Sequence, residues 1–197
     1  MRDGIELKAD HYAPLTNDPQ GTILVRGPYG RGLPFSFIYA QVYAAREYHV
    51  VLQSVRGTSG SGGEFTPMVH EVDDAADTVA WLREQPWFTG TFGTIGLSYL
   101  GFTQWALLSD PPPELAAAVI SVGPHDLHQS SWGTGSFALN DLLGWSDMVA
   151  NQEASTARRL AFQFQAARRL ASAVHGLPLG EAGRALLGEG SGFYESW

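Results

Sequence analysis

The sequence contains no cysteine and a single lysine, Lys8. The first absence excludes disulfides, thiolate catalysis and cysteine-ligated zinc. The second, with 12 Lys plus Arg against 20 Asp plus Glu, leaves a formal net charge of -8. Nucleic acids and anionic membrane surfaces are held by clustered cationic side chains, so this balance argues against both as partners. Also missing is any stretch approaching the ~18 apolar residues of a membrane span. The polar, alternating start MRDGIELKADHY has no apolar core of a secretory leader. A soluble, cytoplasmic protein is the expectation.

What the chain does hold is enough apolar material for a real core. Its 197 residues are 44% hydrophobic and 12% aromatic, within the size of a single domain. Residues 4–13 alternate as a half-buried strand does, and residues 14–21 supply a turn. Residues 22–25, Thr-Ile-Leu-Val, are a continuous apolar run typical of a strand covered on both faces. Glycines and prolines break the pattern at 27–34, and a helix is expected over 35–47. A strand follows at 49–55 and a Gly/Ser-rich loop at 56–65. The next helix places Val72, Ala76, Val79 and Leu82 on one face, with Asp73 and Asp74 complementing the dipole of its first turn. Further apolar segments at 92–96 and 117–122 complete an α/β alternation, which predicts a parallel sheet with helical crossovers.

Beyond Gly123 the character changes. Residues 125–143 are rich in Gly, Ser, Trp and Asp without clear period, and 152–174 read as a helix with Leu160, Phe164, Ala167 and Ala171 on one side. No strand-like run occurs in this part, and the chain has no internal repeat.

The stretch GTIGLSYLGFTQWALL carries the chemistry. A strand leading through Gly-x-Ser straight into a helix is the setting of a nucleophile elbow, where a strained serine needs small neighbours. Gly96 and Gly101 supply them around Ser98, while Leu100 stands where the commoner pentapeptide has its second glycine. The alternative for Ser98 is an ordinary helix N-cap. In an elbow, the amide of Tyr99 would face the carbonyl oxygen of a substrate on Ser98. A second donor is expected on the loop after an earlier strand. Arg26-Gly27-Pro28-Tyr29-Gly30 occupies that place, so Tyr29 is either a phenolic oxyanion donor or a half-buried packing aromatic.

With these residues in place, the sequence resembles the CocE/NonD branch of the α/β-hydrolases, which includes cocaine-esterase-like enzymes, α-amino-acid ester hydrolases and X-Pro dipeptidyl-peptidases. MRDGIELKADHYAP, LVRGPYGR, VLQSVRGTSGSGGEF and GTIGLSYLGFTQW carry the likeness, in the family's order. It implies an α/β-hydrolase domain over 1–124 and the start of a helical cap over 125–197. It also implies a serine hydrolase acting on esters, amides or short peptides without cofactor or metal, with Ser98 as acyl-forming nucleophile. The Tyr29 hydroxyl and Tyr99 amide would form the oxyanion hole. Ser54 departs from the family's usual aspartate, which should alter loop packing rather than chemistry.

In this fold the triad acid and base follow the serine on later loops. In the family both lie beyond the cap, so the expectation is a fragment whose acid and base are absent and which is nearly inactive alone. Asp126 and His128 are the local substitutes, disfavoured because neighbours on one loop seldom supply both base and orienter. A non-catalytic, truncated hydrolase-like protein or interaction module is the alternative. A sheet with an unpaired edge also predicts homo-oligomers. His11, His49, His70 and His175 read as packing or surface residues, and no histidine pair has metal-ligand spacing on a predicted helix. The 56–63 loop lacks the ending of a phosphate cradle, and Arg158, Arg159, Arg168 and Arg169 read as a solvated helix face.

Overall fold

The apolar run at residues 22–25 becomes the middle of a central strand, and the computed structural model, which describes residues 1–154 and 156–196, shows why it is unbroken. Strands β1 (Ala9–Tyr12), β2 (Gly21–Gly27), β3 (Tyr48–Ser54), β4 (Phe92–Leu97) and β5 (Leu115–Ser121) form one sheet in the order β1-β3-β2-β4-β5. β2 pairs in parallel with both β3 and β4, and β4 pairs in parallel with β5. Only β1 is antiparallel, with Ala9 opposite Gln53. All of β2 after Gly21 is buried, because side chains alternate to two covered faces.

On one face Ile23 and Val25 pack with Val50, Leu52, Tyr39, Ala40 and Leu100. That side is covered by a π-helical stretch, Ser36–Gln41, running into helix α1 (Val42–Ala44). On the other face Leu24 and Val51 pack with Ala75, Val79, Leu82, Phe92 and Leu107. These last residues bring helices α2 (Glu71–Arg83) and α3 (Tyr99–Leu108) onto the sheet. A parallel core between two layers follows, in agreement with the alternation in the sequence.

Two details differ from that expectation. β1 spans only four residues of the alternating segment. α2 is rotated: Val72 and Ala76 are exposed, while Glu71, Asp74, Ala75, Thr78, Val79 and Leu82 are buried. Buried ion pairs and hydrogen bonds, described below, turn its polar residues inward.

Contacts divide the chain into two compact units, a first ending at His125 and a second beginning at Asp126. The second unit's described regular elements are all helical: α4 (Leu127–Trp132), α5 (Leu139–Asn151), α6 (Thr156–Ala173), α7 (Leu179–Leu187) and a 3-10 stretch, Glu189–Ser196. α4 lies within the 125–143 stretch that shows no period, and α5 begins in it. Leu143, Ala173 and Tyr194 form the unit's buried centre.

The apolar side expected for α6 faces solvent, since Phe164 is 87% exposed and Ala167 and Ala171 are exposed too. A second stripe through Ala166, Leu170 and Ala173 turns inward instead. Arg169 is on that inner side, pairing with the buried Asp147 and lying over the Phe162 ring at 4.4 Å, which corrects its reading as a solvated residue. Arg168 is exposed as expected, whereas the side chains of Leu160, Arg158 and Arg159 lie outside the described set. No described helix is long and apolar enough to cross a membrane.

Candidate active site

Ser98 stands between β4 and α3 with φ 55 and ψ -123 and makes no side-chain cap on the helix. A positive φ at a non-glycine residue persists only where surrounding structure holds it. Here the Ser98 N–H donates to the Ser121 carbonyl of β5 at 3.0 Å, and the Ser98 carbonyl accepts from Gly101 and Phe102 at 2.8 and 3.1 Å. The backbone is therefore pinned from both sides. Ser98 occupies the N-cap position without using its oxygen as a cap.

The small residues around it have specific partners. A Cβ on Gly96 would come within 2.3 Å of Leu100 Cβ, and one on Gly27 within 2.4 Å of Leu100 Cδ1. Leu100, 3% exposed, thus fills the space that two glycines leave and locks the first turn of α3 over the end of β2. A Cβ on Gly101 would lie 2.7 Å from the Gly123 Cα. The displaced glycine of the Gly-x-Ser-x-x-Gly spacing is the one that lets α3 meet the chain leaving β5. Val122 is forced to φ 45 just before this contact, and Trp105 Nε1 donates to the Gly123 carbonyl at 3.3 Å.

Tyr29, on the loop after β2, places its hydroxyl 3.4 Å from Ser98 Oγ. Its ring stacks on Phe35, which in turn stacks on Tyr39, with centroids 5.5 and 6.1 Å apart. The two residues, 69 positions apart in sequence, are therefore neighbours, and the phenol is held by its ring rather than left mobile. The Tyr99 N–H belongs to the first turn of α3, where amides have no intrahelical acceptor and the helix dipole is positive.

The Tyr99 side chain points the other way, into the protein. Its hydroxyl donates to Glu71 Oε1 at 2.8 Å and accepts from the Met68 N–H at 2.8 Å, where Met68 has φ 69. Glu71 Oε2 pairs with Arg26 Nη2 at 3.2 Å, and Arg26 Nε donates to Gln53 Oε1 at 2.7 Å. Burial, together with the Glu71 carboxylate, holds the Tyr99 phenol well above its ordinary range. Burial also pushes the Glu71 carboxyl up, opposed by the Arg26 guanidinium. The sequence reading missed Glu71 and Arg26; a Glu on the apolar side of a helix was the available signal.

The loop residues weighed as substitutes sit elsewhere in function. Asp126 caps α4, its carboxylate accepting from the Gln129 N–H at 2.8 Å. His128 is exposed, and His125 lies 5.9 Å from Trp105, ring to ring. Among the described residues no histidine is hydrogen-bonded to Ser98, and no cluster of three His, Asp or Glu could hold a metal. Ser54, buried, accepts from Arg31 Nη1 at 2.6 Å, and Arg31 also lies 3.2 Å from Asp10 across the sheet. The 56–63 loop is a tight turn: a Cβ on Gly57 would strike the Phe65 nitrogen at 2.1 Å.

A family model described as X-Pro dipeptidyl-peptidase (S15 family) matches residues 3–196. Cocaine esterase of Rhodococcus sp. is 37% identical over 155 residues, 76% of this chain and 27% of that protein. An aminopeptidase structure from a Thaumarchaeota archaeon superposes with a TM-score of 0.64 at 27% identity, covering 79% of this chain and 29% of that one. A CocE/NonD family hydrolase from Staphylococcus aureus gives 0.52 at 26% identity, over 60% and 25%. The fold is that of the α/β-hydrolases, and the chain spans roughly a quarter to three tenths of each relative's length.

Proposed function

Since the chain belongs to the S15 family, with the CocE/NonD hydrolases among its relatives, we propose that it carries the nucleophile half of a serine hydrolase acting on esters or amides. The observation that supports this best is the strained Ser98, uncapped, with the Tyr29 hydroxyl 3.4 Å from its Oγ. In the proposed cycle Ser98 Oγ attacks the substrate carbonyl, the bond to the leaving group breaks, and an acyl-enzyme forms. The developing oxyanion accepts from the Tyr29 hydroxyl and the Tyr99 N–H. Water then attacks the acyl group and restores Ser98.

Proton removal from Ser98 requires a base. None of the described histidines is hydrogen-bonded to Ser98, so these 197 residues by themselves are expected to acylate slowly. The experiment is ester acylation with p-nitrophenyl acetate, read as nitrophenolate release in excess of protein-free buffer holding the same imidazole, with and without added imidazole as a diffusible base. Acylation that imidazole accelerates and that Ser98→Ala abolishes is the expected result. Release unaffected by Ser98→Ala overturns the reading. Fast Ser98-dependent turnover without imidazole would instead bring the 125–128 loop back as the source of the base.

A further inference from the structure

Beneath the elbow lies a polar layer that the chemistry above does not use. Arg26, Gln53, Glu71, Thr78 and Tyr99 are each no more than 4% exposed. An ion pair at such depth is a poor stabiliser, because removing two charges from water offsets most of their attraction. Its placement is more informative. Arg26 is the last residue but one of β2, three residues before Tyr29, and Tyr99 begins α3 immediately after Ser98. Glu71 touches both, accepting from the Tyr99 hydroxyl with one oxygen and from Arg26 Nη2 with the other. A second tie runs alongside, from Thr103 Oγ1 of α3 to the Arg26 carbonyl at 3.0 Å. Gln53, itself 3.0 Å from Thr78 Oγ1, accepts from the guanidinium Nε.

We propose that Glu71 is the positioning residue of the oxyanion hole: its carboxylate brackets the end of β2 to the start of α3 and so fixes the Tyr99 N–H relative to the Tyr29 hydroxyl. The inference rests on the reading of Ser98, Tyr29 and Tyr99 given above. Glu71 touches no substrate in this role and acts only through the two donors' spacing. Donors misplaced by a fraction of an ångström lose much of their effect on the transition state while leaving substrate binding almost intact.

Two variants test it. Glu71→Gln keeps the shape but leaves Arg26 facing a neutral amide; Tyr99→Phe removes only the bridging hydroxyl and leaves the Glu71–Arg26 pair intact, so it guards against a misfolded first variant. Imidazole-assisted acylation is measured over a range of ester concentrations, beside hydrogen exchange of the amides of residues 68 and 99–102. Both variants are expected to slow acylation at saturating ester about 10- to 100-fold with KM changed less than about twofold, and to speed exchange in those amides. Glu71→Asp, which restores the charge, should recover part of the rate. Unchanged exchange in both variants overturns the bracket, as does a loss that appears in KM alone. Absence of Ser98-dependent acylation in the unmodified chain would count against the Ser98 reading, and exchange then decides the bracket by itself.

Discussion

Gly101 and Gly123 meet backbone to backbone: a Cβ on Gly101 would stand 2.7 Å from the Gly123 Cα. Real side chains do not tolerate that separation from main chain, so Gly101→Ala has to push α3 away from the end of β5. Overpacking of this kind costs about 1–3 kcal/mol, measurable as a lower midpoint in urea. Gly180, in α7 with nothing within 4 Å of an added Cβ, is the contrast: Gly180→Ala should stabilise by about 0.5–1 kcal/mol.

Tyr29→Phe removes the phenolic hydroxyl and keeps the ring that stacks on Phe35. On the proposed mechanism, acylation should fall by about 100-fold or more, equivalent to roughly 3 kcal/mol in the barrier. The unfolding midpoint should stay where it is. A rate within a few-fold of the parent would reduce Tyr29 to a packing residue.

Arg56 joins Asp74 through two hydrogen bonds and also pairs with Asp3. Its side chain is 11% exposed and that of Asp74 only 1%. Arg56→Gln strands a buried carboxylate, which places its cost at about 3 kcal/mol. Equilibrium denaturation checks this, and the double variant Arg56→Gln, Asp74→Asn should recover much of the loss.

His11 and His49 share a hydrogen bond of 3.0 Å; His11 stacks on Trp87, and the His49 ring lies tilted beside it. Burial lowers both imidazoles, with His49 adding to the effect on His11. The unfolded chain therefore takes up protons at a higher pH than the folded one. Stability is greatest above the ordinary histidine value of about 6.5 and falls as the pH drops toward the lowered folded values. Thermal midpoints between pH 7.5 and 5 should show this slope, and His11→Asn should flatten it.

The chain's pattern was most legible where one physical demand acted alone. Residues 22–25 had to satisfy two apolar faces, and nothing else, so they read as a buried strand. α2 answered to two demands: its apolar residues favoured one face, but Glu71 and Asp74 had buried cations to meet, and the helix turned toward them. The sharp turn at Ser98 is legible in its flanking Gly96 and Gly101, and Tyr29 lies near it as the loop after β2 suggests. The support beneath that turn was not legible, because a pairing between positions 26, 71 and 99 leaves no mark in local spacing. On α6 two apolar stripes competed, and packing against Leu143 and Tyr194 chose the one through Ala173.

Leu100 gives the elbow a thermal signature. It belongs to the same buried cluster as Ile23, Val25, Val50 and Leu52, so the turn bearing Ser98 shares its fate with the centre of the sheet. Active-site loops commonly open at a lower free energy than the rest of their fold. Here Leu100 ties the turn to the centre of the sheet instead. Heat should disable the serine and melt the sheet in one cooperative event, the loss of Ser98 reactivity and the loss of sheet signal falling on a single curve.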